Sequence, residues 1–253
     1  MKVEQLLIPR HLQEVPVLTT KQMAEVDRLM VQKYQIELAQ MMENAGRAVA
    51  LVGSTVFLNG NPRGKKIAVL AGTGGNGGGA MVAARRLHNW GADVRVIISK
   101  PAGRMTPAPA QQLSILRNME VSVQLPNALE SLEEKFDLII DGVIGYNLDG
   151  DPRGGAKKMI NWANENTASV LSIDTPSGID LTSGTIYDPV IKADATLTLA
   201  LPKKGLFEDP VKAVRGPLFL ADISVPPALY AEPSLKIKIG TLFANGDILL
   251  IEE

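Results

Sequence analysis

The sequence predicts an α/β fold: a single Rossmann-like, three-layer domain with a mostly parallel sheet and helices on both faces. Three observations predict it. From Lys65 onward, short runs rich in Val, Ile and Leu alternate with segments of helical period, giving strand, helix, strand in succession. No repeat, low-complexity tract or linker divides the chain, so one domain spans residues 1–253, with 1–18 an N-terminal arm and 228–253 a C-terminal tail. At 253 residues and 45% hydrophobic, the chain has the length and the material for a substantial core.

The elements follow in order. Residues 1–18 carry little pattern. Thr19 and Gln22 have the spacing of a capping box, and Met23, Val26, Leu29 and Met30 then recur at helical intervals. A second helix is expected over Glu37–Phe57, burying Leu38, Met41, Met42, Ala45, Val49 and Val52, a stripe read as core packing. Strands are expected at KIAVLA, DVRVIIS, VSVQL, FDLIID, SVLSID, DATLTLA and LFLADIS. Helices are expected over Gly79–Trp90, Pro107–Met119 and Gly154–Asn166. The tail GDILLIEE reads equally as a terminal strand or a partner-binding segment.

Composition narrows the function. Basic and acidic residues balance, 26 against 27, and aromatics make up only 4%, so no nucleic-acid surface or base-stacking platform is expected. The absence of cysteine removes thiol nucleophiles, disulfides and thiolate metal sites. The N-terminal stretch is broken by charges and prolines, and no apolar run approaches the roughly 18 residues of a membrane span. A soluble, cytoplasmic protein without a membrane partner is the expectation. His11 in the arm and His88 within a helix are not placed for a nucleophilic triad.

In open α/β sheets ligands bind beyond the carboxyl ends of the strands. Four strands end unusually: in GTGGNGGG, in Asp141 followed by GVIGYNLDGDPRGG, in SIDTPSGID with Asp174 and Ser177, and in LPKKG with Lys203 and Lys204. All four open onto one edge of the sheet. The stretch Gly72–Gly79 packs six glycines into eight positions, a density that costs roughly 1 kcal/mol per glycine against alanine in a regular element. It satisfies GxGxxG, but the second strand ends at Ser99-Lys100, with Arg104 nearby, instead of an acidic residue, and no Lys-Ser/Thr follows the glycines. As an ordinary dinucleotide fingerprint the match is weak, with Lys100 and Arg104 read either as acceptors of a 2′-phosphate or as a solvated rim, and a P-loop is not matched. What remains is an anion cradle of backbone amides at a helix start, with Asn76 inside it. Asp174 sits on a turn stiffened by Pro176, a placement suited to acid/base work or to holding a ribose. Lys203 and Lys204 read as solvated.

Taken together, ENAGRA, GTGGNGGGA, DGVIGYNLDGDPR, SIDTPSGID and LTLALPKKG, in that order, resemble the NAD(P)H-hydrate epimerase family, the YjeF N-terminal domain, from about Thr19 to about Pro227. The resemblance implies a Rossmann-like fold, a homodimer, and epimerisation at C6 of hydrated NADH and NADPH. The dehydratase that completes repair is expected elsewhere, since the chain is too short to carry it. The resemblance further implies a potassium ion held by Asn76, Asp141 and Ser177, an oxygen-only set reasonable for a hard cation. It implies substrate contacts from Gly75, Asn76, Gly77, Gly78 and Gly79, from the loop Gly145, Tyr146, Asn147, Leu148, Asp149, Gly150 and Asp151, and from Asp174.

Three departures in the glycine loop stand out, and a fourth lies after the fourth of the expected strands. Gly75 replaces an asparagine, Gly79 an aspartate and Ala80 a glycine of the family's loop, and Asp149 stands where a lysine is expected. Loss of water from C6, then re-addition on the other face, needs a general acid and an anion beside the ring cation. Asp174 is assigned first and Asp149 second. The glycine departures leave an alternative: a catalytically impaired homologue acting as a nucleotide-binding sensor or an interaction scaffold.

Overall fold

The structure, a computed structural model, describes residues 8–11, 14–146 and 148–252. The strands are β1 (Arg10–His11), β2 (Lys66–Ala71), β3 (Asp93–Ile98), β4 (Ser122–Gln124), β5 (Leu138–Gly142), β6 (Ser169–Ile173), β7 (Ala195–Leu199), β8 (Leu218–Ala221) and β9 (Ile248–Ile251). They form one nine-stranded sheet in the order β1-β9-β8-β7-β6-β5-β2-β3-β4. Only β8 and β9 run antiparallel. From β4 through β8 the order is that of a doubly wound Rossmann sheet, and it reverses between β2 and β5.

Seven α-helices accompany the sheet among the described residues: α1 (Thr20–Gln32), α2 (Leu38–Val52), α3 (Gly75–Asn89), α4 (Pro107–Asn118), α5 (Gly154–Glu165), α6 (Asp209–Arg215) and α7 (Pro227–Tyr230). The capping box at Thr19 forms: its hydroxyl accepts from Gln22 N at 3.2 Å, and Gln22 Oε1 accepts from Thr19 N at 2.9 Å. Along β2, Ile67, Val69 and Ala71 face a core shared with α1 to α4, while Ala68 and Leu70 face one shared with α5. That period-two division makes the three layers.

The structure revises several expected elements. Helix α2 ends at Val52 and continues as a wider π-helical turn over Gly53–Phe57. Leu38, expected in the core, is 46% exposed. Helix α3 starts at Gly75 instead of Gly79, so the glycine stretch is the first turn of a helix more than a loop. The arm holds an edge strand, β1, paired with β9, and the tail closes as β9, which decides it as a terminal strand. No helix among the described residues is long and apolar enough to cross a membrane.

Candidate active site

The carboxyl ends of β2, β5, β6 and β7 lie side by side and pair in parallel. Each sends residues to one cleft: Gly75 and Asn76 after β2, Tyr146 after β5, Asp174 after β6, and Lys203 after β7. Helices α1 and α2 roof it with Met23, Asp27, Leu38, Met41, Met42 and Ala45, and Ile223 closes one side. The cleft encloses about 530 Å³ including its open mouth. Its walls are mostly apolar with a few polar groups converging, as such sites are.

Asp174 forms the floor. Its backbone takes a positive φ of 66°, a left-handed conformation that aspartate tolerates better than most residues. Its amide donates to Leu197 O at 2.7 Å, so β7 holds the turn in place. One carboxylate oxygen, Oδ1, accepts from Thr198 Oγ1 at 3.1 Å, from Leu199 N at 3.2 Å and from the Lys203 ammonium. Lys203 also donates to Leu199 O at 2.9 Å. Its side chain is fully buried and that of Asp174 is 4% exposed. The reading of Lys203 as solvated is therefore corrected: it is the ion-pair partner of the floor carboxylate. Lys204, next in sequence, is exposed as expected.

Asp27 is the acidic group that sequence reasoning passed over. It projects from α1 into the same cleft, and Tyr146 Oη donates to its Oδ2 at 2.7 Å. Burial pushes its carboxyl above the ordinary aspartate range, while the Tyr146 hydrogen bond and the Lys203 charge pull it back. A signal was present in the helical period. Position 27 lies on the same face as Met23, Val26 and Met30, all buried, so a carboxylate there had to be inside.

The glycines divide. Gly75 is exposed and an added Cβ would meet nothing, and Asn76 is half-buried, its Nδ2 donating to Ile173 O at 2.9 Å. Gly77, Gly78 and Gly79 are buried and do not themselves line the cleft. Added Cβ atoms there would lie 2.1 Å from Gly72 O, 2.6 Å from Met42 Sδ and 2.8 Å from Ile173 Cδ1. Their expected side of contact with substrate is thus filled by packing of α3 on α2, β2 and β6. Of the three, only Gly77 has its amide among the unpaired ones of the first helical turn, since Gly78 N already donates to Gly74 O at 3.0 Å. Gly79 in particular faces Ile173 and Ala45, so an acidic group is not missing from the cleft wall on its account.

The loop after β5 also departs from expectation. Gly145 packs on the Asn76 carboxamide, and Tyr146 lines the cleft. Asp149 is exposed and does not line the cleft, which corrects its assignment as a catalytic group. Asp151 Oδ1 accepts from Asp188 N at 3.1 Å, tying this part of the loop to the chain near Asp188. Leu148 and Gly150, the latter with φ of 80° and open space around it, do not line the cleft either. Asn147 lies outside the described residues.

Asp141 is wholly buried below the floor. Its carboxylate accepts from Ser172 Oγ at 2.8 Å, Ser177 N at 2.8 Å, Ser177 Oγ at 2.6 Å and Val143 N at 3.2 Å. Burial raises its carboxyl above the ordinary range against the pull of those donors. Ser177 Oγ also accepts from Ile144 N at 2.8 Å, so Asp141 and Ser177 pin the β5 loop to the β6 turn. All the donors are neutral, which leaves a buried negative charge with no cation in contact among the described residues. The Asn76 amide oxygen, beside Gly145, takes no hydrogen bond among them. Hard oxygens beside a buried, uncompensated charge fit a hard cation.

Known proteins share this fold. The family model for the YjeF-related protein N-terminus matches residues 38–205. An NAD(P)H-hydrate epimerase from Dehalogenimonas lykanthroporepellens is 39% identical over 228 residues, covering 88% of each chain. A bifunctional NAD(P)H-hydrate repair enzyme from Thermofilum pendens is 33% identical over 84% of this chain, which spans 41% of that protein. The crystal structure of yeast ynu0 superposes with a TM-score of 0.78 at 27% identity, covering 93% of this chain and all of that one.

Proposed function

The chain belongs to the YjeF-related N-terminal family, and on that premise we propose that it is an NAD(P)H-hydrate epimerase, interconverting the C6 epimers of hydrated NADH and NADPH. The observation that carries the reading is the convergence of four strand ends on one cleft with Asp174 at its floor. The nicotinamide-derived ring enters the cleft against Met41, Met42 and Leu199, and the phosphates lie toward the exposed start of α3. When the C6 hydroxyl leaves as water, the ring nitrogen's lone pair forms a C6=N1 bond and the ring becomes a cation. The apolar roof strengthens every electrostatic contact with that cation. Water then adds to the opposite face.

Asn76, Asp141 and Ser177 would hold a potassium ion, which would offset the buried Asp141 charge and fix the β5 loop next to the cleft. A homodimer in the cytoplasm belongs to the same reading, and light scattering tests its stoichiometry. The alternative of an impaired sensor or scaffold drew on Gly75 and Gly79. Position 79 faces packed side chains, whereas position 75 lines the cleft with open space above it, so of the two only Gly75 leaves the cleft without a polar side chain; the epimerase names of the relatives favour the enzyme reading.

The test supplies the purified chain with the unfavoured epimer of hydrated NADH and an excess of an ATP- or ADP-dependent dehydratase. NADH is expected to regenerate well above the spontaneous rate, faster with potassium than with choline. Regeneration at the spontaneous rate would remove the enzyme reading.

A further inference from the structure

We propose that Asp27 of α1 is the proton donor to the departing C6 hydroxyl, and that Asp174 remains an anion throughout. This builds on the epimerase reading above. The two carboxyls share a cleft but have different partners. Asp174 faces the buried Lys203 ammonium and two further donors on one oxygen. Asp27 has a neutral phenol on Oδ2 at 2.7 Å and no ion pair among the described residues. When two carboxyls in one site have surroundings this unlike, the one with the cation stays ionised and the other carries the proton.

The groups that face Asp27 come from four elements. Tyr146 comes from the β5 loop, Asp174 from the β6 turn and Lys203 from the segment after β7. Tyr230, from α7, has a hydroxyl that is buried without a partner among the described residues, and burial, with the charges of Asp222 and Asp27, keeps it a neutral phenol. On α1 itself, Glu25 and Arg28 are paired with each other. Burial and the Asp174 charge favour the protonated form of Asp27; Tyr146 and Lys203 favour the ionised one.

The charges balance through the step. The C6–O bond breaks, oxygen leaves with the Asp27 proton as water, and the N1 lone pair forms C6=N1. Asp27 thus becomes an anion as the ring becomes a cation, and the new ion pair forms in place. The Lys203–Asp174 pair is already neutral overall and supplies no such counter-charge. Addition of water to the other face runs the same bonds backwards, its proton returning to Asp27 through the water released first.

The experiment compares wild type, Asp27→Asn and Tyr146→Phe in the coupled assay from about pH 5 to about pH 9, with circular dichroism to check folding. In wild type, turnover falls with rising pH as Asp27 loses its proton. Asp27→Asn keeps an acceptor for Tyr146 but has no proton to give, so kcat falls about 10²–10⁴-fold with KM within about threefold, and the alkaline limb disappears. Tyr146→Phe removes the donor that favours ionised Asp27, so the limb moves to higher pH; loss of packing alone would not move it. Asp27→Asn within about threefold of wild type, a limb that persists in that variant, or a limb that stays in place in Tyr146→Phe overturns the assignment. An inactive wild-type chain would instead remove the epimerase reading, and the proton donor with it.

Discussion

Replacing Lys203 with methionine should cost the protein a large part of its stability. Methionine fills much of the lysine stem and removes the ammonium. Asp174, whose side chain is 4% exposed, keeps the Thr198 hydroxyl at 3.1 Å and the Leu199 amide at 3.2 Å. It loses its cation, and Leu199 O loses a donor at 2.9 Å. Removing one partner of a buried pair costs about 3–5 kcal/mol, because the other charge stays buried alone. In a chain of this size each kcal/mol moves the melting temperature by ~2–4 °C, so a fall of about 6–20 °C is expected. Adding Asp174→Asn removes the second charge, and the double variant should be more stable than the sum of the two single losses by about 1–3 kcal/mol. Urea denaturation of wild type, both single variants and the double variant measures this coupling, with equal m-values as the check that one transition is being compared. A loss below about 1 kcal/mol for Lys203→Met, or a double variant additive within about 0.5 kcal/mol, would refute the role given to the pair.

Other expected outcomes follow from the same geometry. Asp141→Ala leaves Ser172, Ser177 and Val143 without their buried acceptor, and should cost about 3 kcal/mol or more in urea denaturation; an unchanged midpoint would show that the β5 loop and β6 turn are held otherwise. Gly79→Asp puts a Cβ 2.8 Å from Ile173 Cδ1 and should destabilise by about 1–3 kcal/mol, without raising kcat; a large gain in activity would return position 79 to the cleft. Asp27 titrates above its ordinary value of 3.8 in the folded chain, so the folded state binds more protons than the unfolded one. Its contribution to stability is complete below that ordinary value and is lost as pH rises through the raised one. Asp27→Asn should therefore flatten the fall in urea midpoint as pH rises above about 4, and an unaltered slope would contradict the shift.

Period and strand-end chemistry made much of the fold legible. The seven expected strands are β2 to β8, and the four odd strand ends do meet, because parallel neighbours point their carboxyl ends the same way. Asp174 was found for that reason. Lys203 was missed because a lysine after a strand carries no mark of burial; only the nearby Asp174, 29 residues earlier in the chain, makes a buried ammonium tolerable. Asp27 was missed because the helix was read for its apolar residues alone. Asp149 was over-read: Tyr146 of the same loop lines the cleft, but Leu148, Asp149 and Gly150 do not. Gly79 was over-read too, since its importance depended on which way a side chain would point from a helix whose start lay four residues earlier than expected. β1 is two residues long and has no period to detect.

Leu18 donates its amide to Pro202 O at 2.8 Å and accepts from Lys204 N at 2.9 Å, so the start of α1 is tied to the chain beside Lys203. During synthesis α1 must therefore wait for about 185 further residues before Asp27 can be seated, some 10–40 s at ~5–20 residues per second. β9 follows later still, and its pairing with β1 joins the two ends of the described chain. Contacts this distant in sequence carry a loop-closure cost that the central strands β2, β3 and β5 do not. The nascent chain thus has β2, β3 and β5 well before it has a cleft, whose lining is complete only once Lys203 and Ile223 have been added.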